Sequence, residues 1–383
     1  MADRIKKAVI LSVLAVCAAI SLGSARSQSG QGQQQANNLF SRWRPTQDYS
    51  GIGYVGSQVC ARCHSAQAGQ LDTPMAHAMR AAADCNILSM NARLTFRIGP
   101  FTYQITRQGD RSIYSVSDGV NTISEPILFC FGKGEAGQTY LFQRNGLYYE
   151  SRVSYYPRLQ NLDITTQHPR SVPASLEEAL GRPMTQEAAK GCFACHSTGA
   201  TGGSEFRVES LSPGVRCEAC HGPGERHVAA VRVKDPKDLQ IFNPKRLDAL
   251  DQTQEFCGAC HQSFDTVMLL QDRGGINNVR FQPYRMANSP GHLINDSRMS
   301  CVACHDPHGR MERDAAYYDS KCLSCHVSSP KEPKTEARQA SGCPESSRQC
   351  VTCHMPKVEV PDLHYKFTDH WIRIVKPGEP VPR

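Results

Sequence analysis

Cys217-Glu-Ala-Cys220-His221 is the stretch whose reading decides this fold, because its form, C-x-x-C-H, returns six more times. The other copies are Cys60-Ala-Arg-Cys63-His64, Cys192-Phe-Ala-Cys195-His196, Cys257-Gly-Ala-Cys260-His261, Cys301-Val-Ala-Cys304-His305, Cys322-Leu-Ser-Cys325-His326 and Cys350-Val-Thr-Cys353-His354. They are numbered here as motifs 1 to 7 in chain order, so the quoted stretch is motif 3. On a helical turn, residues i, i+3 and i+4 share one face. Two thiols so placed reach the two vinyl groups of one porphyrin, and the adjacent histidine binds iron from the proximal side. A disulfide within C-x-x-C would not need a histidine beside it each time. Zinc sites pair C-x-x-C units without this fixed histidine. The reading is therefore seven covalently attached haems c, held by fourteen of the 18 cysteines.

The histidine count extends this reading. Of 14 histidines, seven belong to the motifs. The others are His77, His168, His227, His292, His308, His364 and His370, one for each motif. All seven are candidates for the sixth iron ligand. His77 lies in MAHAM on an expected helix, and His227 follows motif 3 in CHGPGERH. His308 follows His305 so closely, across Pro307 and Gly309, that it is expected to serve a neighbouring haem. His168 and His292 stand in proline-rich, loop-like settings, and His364 and His370 sit together in DLHYKFTDHW. If all seven bind, every iron is six-coordinate and none is open to a substrate. Met75, Met79 and Met355 are axial donors by type, and are more simply packed side chains.

The spacing of the motifs divides the chain. Arg4, Lys6 and Lys7, the apolar run AVILSVLAVCAAISL and the small residues before Arg26 read as an export signal, residues 1–25. The run is shorter than the roughly 20 residues that span a bilayer. No later stretch is long and apolar enough either, so the expected location is periplasmic or extracellular, with no transmembrane segment in the mature chain. Residues 26–52, with the polar run SQSGQGQQQANN, read as a flexible leader. Residues 53–90 hold the first haem site. Residues 91–165 read as a β-rich inserted module, from alternating runs such as FTYQIT and TYLFQR, with Asn145-Gly146 as a hairpin turn. Cys85 and Cys130 are candidates for a disulfide across it, the compartment being oxidising, and Cys343 has no assigned role. Residues 166–383 read as a six-haem domain of short helices and loops. Ser175-Leu-Glu-Glu starts one helix with a capping box, and ERHVAAVRV forms another. Six motifs between Cys192 and His354 leave little room for an ordinary core, so the porphyrins themselves are expected to form it.

Charge excludes one class of function. The formal net charge is +7, or +5 without residues 1–25. Each bis-histidine ferric haem adds about −1 and each ferrous haem about −2. The loaded protein then stands near −2 oxidised and about −9 reduced, which removes the electrostatic basis for nucleic-acid binding.

Several stretches resemble the multihaem cytochrome c-554 family with its paired C-x-x-C-H motifs. They are YVGSQVCARCHSAQ, CEACHGPGERH, CVACHDPHG, and CHMPK followed by HYKFTDHWIR. GQTYLFQRNGLYYESRVSYYP looks like β-modules found in such proteins. The resemblance covers most of the chain after Gly53. It implies packed haem pairs, mostly bis-histidine, with axial roles for His77, His227, His308 and the His364/His370 pair. It also implies an electron carrier or conduit working between redox partner proteins, alone or within a larger electron-transfer complex. Related β-modules carry a histidine in the glycine turn that reads GKGEAG here, where Glu135 and Ala136 stand instead. The competing expectation is a reductase or oxidase of small nitrogen or sulfur compounds, which needs one haem with an open side. The chain has no C-x-x-C-K variant.

Overall fold

The computed structural model describes residues 43–47, 49, and 51–379 apart from 201–205, 207, 234–237, 270–274, 294–295, 327–347 and 376–377. The expected export signal and Cys343 lie outside the described residues.

Alternation of apolar and polar residues builds one large antiparallel sheet. Its strands are β1 (Met79–Ala81), β2 (Arg93–Ile98), β3 (Phe101–Gln108), β4 (Arg111–Ser117), β5 (Thr122–Phe131), β6 (Thr139–Arg144) and β7 (Leu147–Ser151). A separate hairpin follows, β8 (Val153–Tyr156) with β9 (Asn161–Ile164), and then β10 (Gly181–Met184) returns to the sheet. The order is β10-β7-β6-β5-β4-β3-β2, with β1 added against β5 through Arg80 opposite Cys130. In β3, Phe101, Tyr103 and Ile105 point inward and their neighbours outward, as a period of two requires. Tyr114, Val116, Tyr140, Phe142, Val153 and Leu162 complete that core. Asn145 (φ 50°) and Gly146 (φ 78°) turn β6 into β7 with both residues left-handed, as the sequence predicted.

The sheet reaches beyond residues 91–165, and its second face carries the first link to the motifs. Met79, Phe131, Leu141 and Met184 pack there against Ala189 and Phe193 of the helix Gln186–His196, which contains motif 2. Phe193, one of the two residues between its cysteines, is fully buried edge-on against Phe129 and Phe131, at 5.2 and 5.3 Å between ring centres. The β-rich segment is thus a floor for one site rather than a detached insert.

Two sequence expectations need correction: the helix over MAHAM, where His77 stands in a turn and Met79 begins β1, and the leader. Residues 26–52 are not wholly a leader without contacts. Trp43 is 2% exposed, stacks on Tyr49, and donates its indole N–H to the Ala219 carbonyl at 3.1 Å. Between Ser175 and motif 2 the chain forms two helices with a strand between them. Ser175 caps Leu176–Leu180 as expected, its hydroxyl accepting from the Glu178 N–H at 3.2 Å. Gly181 (φ 139°) then breaks the helix and Gly181–Met184 pairs as β10.

Beyond the sheet the elements are short helices. Cys60 lies in Ser57–Ala61, and Cys217–His221 and Cys350–His354 are single turns. Gly258–His261 follows a π-helical turn over Asp251–Cys257. Cys301–Cys304 and Ala315–His326 carry motifs 5 and 6. Glu225–Ala230 is the helix expected after motif 3.

Candidate metal centres

Each motif sits on a helical turn, so the local sequence places two sulfurs and one imidazole together. In motif 1 the His64 N–H donates to the Cys60 carbonyl at 2.9 Å, and in motif 5 His305 donates to Cys301 at 2.9 Å. The rings are then oriented by carbonyls that are distant in sequence. The Nδ1–H of His196 donates to Ala78 O (3.1 Å), that of His221 to Phe242 O (2.9 Å), and that of His354 to Arg373 O (3.0 Å). Two histidines outside the motifs are held alike, His227 on Leu239 O (2.7 Å) and His370 on Thr368 O (3.0 Å). Holding Nδ1 as the donor leaves the lone pair on Nε2, which is the tautomer a metal requires. Burial pushes His196, His221, His261 and His305 below the ordinary imidazole range, and His370 falls to about 4. These rings are neutral at pH 7, the form that binds iron.

Among the described residues, three pairs of histidine rings face each other at nearly one distance. His64 and His227 stand 6.2 Å apart between ring centres, His221 and His308 6.1 Å, and His305 and His370 6.2 Å. Their planes differ by 30°, 14° and 37°. A metal–imidazole bond of about 2 Å on each side, plus about 1 Å from nitrogen to ring centre, puts two axial rings about 6 Å apart. Each pair offers two nitrogen donors, and no group of three or more His, Cys, Asp or Glu able to hold a bare metal ion occurs among the described residues. Two nitrogens on opposite sides suit an iron whose other four positions are filled by a porphyrin. The residues present fit haem c.

The other candidates fall elsewhere. His168 Nε2 meets Glu150 Oε2 at 3.0 Å with its side chain 4% exposed, and His364 Nε2 meets Asp163 Oδ2 at 2.7 Å. In both, a carboxylate engages the nitrogen that an axial ligand would use. His77 lines a cavity, and the side chain of His292 lies outside the described residues. Motifs 2, 4, 6 and 7 meet no second histidine ring among the described residues; His196 instead has Phe131 edge-on at 5.2 Å. The numerical match of seven spare histidines to seven motifs is therefore not repeated as seven facing pairs. Met75 and Met355 are half-buried, and Met79 is buried in the apolar face under the sheet.

The motifs touch one another. The helical turns that carry motifs 1 and 3, 2 and 4, 4 and 5, and 6 and 7 pack against each other. Cys220 of motif 3 and Cys257 of motif 4 pack against one apolar cluster, and the helices of motifs 5 and 6 are in contact. All seven thus form one continuous row, 1-3-4-5-6-7, with motif 2 joining at motif 4. Away from the row, Cys85 and Cys130 are buried neighbours and both are free thiols. The Cys130 thiol pulls Cys85 down to about 7, and Cys85 donates to Gln138 Oε1 at 2.9 Å.

Three carboxylates that the sequence reading did not single out hold the row together. Glu218, inside motif 3 and 3% exposed, accepts the N–H groups of Val55, Gly56 and Gly224 at 2.7–2.8 Å, tying motif 1 to motif 3. Asp319 accepts Gln349 N and Cys350 N at 2.7 and 2.8 Å, tying the motif 6 helix to motif 7. Asp369, fully buried beside His370, takes Nε and Nη2 of Arg285 at 2.8 Å each and Nη1 of Arg373 at 2.7 Å. Trp371 lies against both guanidiniums. For Glu218 and Asp319 the available signal was an acidic residue within or just before a C-x-x-C-H motif; Asp369 carried none.

Comparison with known proteins agrees with this chemistry. Residues 163–222, which include motifs 2 and 3, match the family model described as cytochrome c554 and c-prime. Multiheme cytochrome MtrA of Shewanella baltica (strain OS185) is 23% identical over 206 residues, 49% of this chain and 60% of that protein. The chain thus spans about three-fifths of the length of that curated relative. No solved structure matches the chain.

Proposed function

Taking the chain as a multihaem c-type cytochrome, we propose that it carries seven haems c and conducts electrons along a row of closely packed sites. The observation that carries this reading is the set of three histidine pairs 6.1–6.2 Å apart, each joining a motif to a histidine from another segment. Haem c supplies a reversible one-electron iron couple. The fourteen motif cysteines are the thioether donors, and His64, His196, His221, His261, His305, His326 and His354 the proximal ligands. His227 closes the site of motif 1, His308 that of motif 3 and His370 that of motif 5. His77 and His292 remain the histidines available to the other four sites, Nε2 of His168 and His364 being engaged by Glu150 and Asp163. Among the described residues, buried apolar side chains are sparse in the motif-rich half, which supports haems as its core. Export to the periplasm or beyond, and protein partners that donate and accept the electrons, belong to the same proposal. Among the described residues no helix is long and apolar enough to cross a membrane.

The test is a mass spectrum and a pyridine haemochrome assay on the purified protein, with electron paramagnetic resonance of the oxidised form. Seven haems with at least three low-spin bis-histidine signals are expected. Fewer than seven, or no low-spin iron, would overturn the reading. A second reading has its own observation: four motifs face no second histidine ring among the described residues. An open haem among them would suit reduction or oxidation of a small nitrogen or sulfur compound. A high-spin ferric signal that shifts on adding nitrite or hydroxylamine would establish it in place of pure conduction.

A further inference from the structure

Between β1, the β5–β6 turn and the loop after motif 5 lies a cavity of about 370 Å³. Asp72, His77, Arg80, Lys133, Glu135, Arg310 and Arg313 bring four cations and two carboxylates to its wall. Glu135 is fully engaged, hydrogen-bonded to Arg313 and paired with Lys133 at 3.1 Å. It therefore neutralises only part of the charge on that side. Arg80 and Arg310 make no ion pair with a side chain among the described residues. Asp72 is the one further carboxylate on the wall, so the cavity holds an excess of two positive charges. Guanidinium pairs recognise planar oxygen anions through forked hydrogen bonds.

We propose that this cavity is an anion site, with Arg80 and Arg310 gripping a carboxylate or small oxyanion and Lys133 and Arg313 adding to the field. Two sources share that chemistry. One is a propionate of the chain's own haem, which rests on the haem-carrying reading above. The other is a dissolved oxyanion such as nitrite or sulfite, which does not.

The experiment uses the full-length haem-loaded protein, its Arg80→Gln/Arg310→Gln double variant and a Glu135→Gln variant. Haem content and thermal unfolding are measured on each, so that loss of fold or of haem is seen directly. Each protein is titrated with nitrite and, separately, with sulfite by calorimetry, and its haem midpoint potentials are measured without added anion. For a dissolved oxyanion, wild type gives a saturable heat. Affinity falls about tenfold or more in the double variant and rises in Glu135→Gln, because each loses or gains a charge-assisted contact. For a propionate, neither anion binds, and one midpoint potential moves down in the double variant and up in Glu135→Gln. A gain in Glu135→Gln cannot come from damage to the fold. The proposal is overturned if wild type binds no anion and the potentials of all three proteins coincide, or if anion binding is the same in all three.

Discussion

At the scale of single residues, the atom that decides a histidine's role here is Nε2. His227 and His370 keep it free by donating Nδ1–H to a carbonyl, whereas His168 and His364 present it to Glu150 and Asp163. Composition makes all four alike; only their neighbours separate them. Replacing His227 with Ala is expected to turn one haem, that of motif 1, high-spin in the resonance spectrum, while His168→Ala leaves the number of low-spin irons unchanged. Equal effects from the two would remove the tautomer argument. Asp369 has the same kind of importance. Burial alone would raise its carboxyl, yet Arg285, the Trp371 N–H and Arg373 hold it below the ordinary carboxylate range. Asp369→Asn leaves two guanidiniums facing a neutral amide in a fully buried site, so a loss of about 3–5 kcal/mol in denaturant unfolding is expected. A change below about 1 kcal/mol would show the cluster to be solvated in solution.

At the scale of elements, periodicity was a sound guide to strands and a poor guide to where they stop. β3 alternates cleanly and Asn145-Gly146 forces a tight turn, so the hairpins were legible in the sequence. β1 and β10 were not, because three or four residues carry too little pattern and their pairing depends on β5 and β7. Gly181 shows how such a strand is held in place. At φ 139°, a Cβ there would stand 2.2 Å from the Glu150 carbonyl oxygen. Gly181→Ala should cost more than about 1 kcal/mol and loosen β10, visible as faster amide exchange in Arg182 and Met184. Phe193 links this sheet to motif 2, and truncation to Ala should cost about 3–5 kcal/mol by the same unfolding measurement. Asp319, between motifs 6 and 7, is held below the ordinary carboxylate range by the N–H groups of Cys350 and Gln349. A depressed carboxyl stabilises above its unfolded pKa and stops doing so as pH falls through the folded one. That staple should hold at neutral pH and release only below about pH 4. Asp319→Asn should remove this acid-dependent step from a circular-dichroism titration.

At the scale of the whole molecule, the row of motifs orders the sites differently from the chain. Motif 1 touches motif 3, and motif 2 joins at motif 4, although more than a hundred residues separate motifs 1 and 2. Haem loading should also reverse the net charge. The polypeptide without residues 1–25 is formally +5, yet the loaded protein is expected to bind an anion exchanger and to elute later when reduced than when oxidised. Identical elution in both states would contradict that bookkeeping. The sequence by itself determined the local chemistry: cysteine and histidine at i, i+3 and i+4 share a helical face wherever they occur, so the seven motifs are seven candidate haem sites irrespective of the fold. It also determined the hairpins, whose contacts are local. Only the tertiary structure decided which histidine faces which motif, because His64 and His227, or His305 and His370, come from segments far apart in the chain and are brought to 6.2 Å by long-range packing. Ligand chemistry is a property of residue type and spacing, whereas ligand pairing is a property of long-range packing.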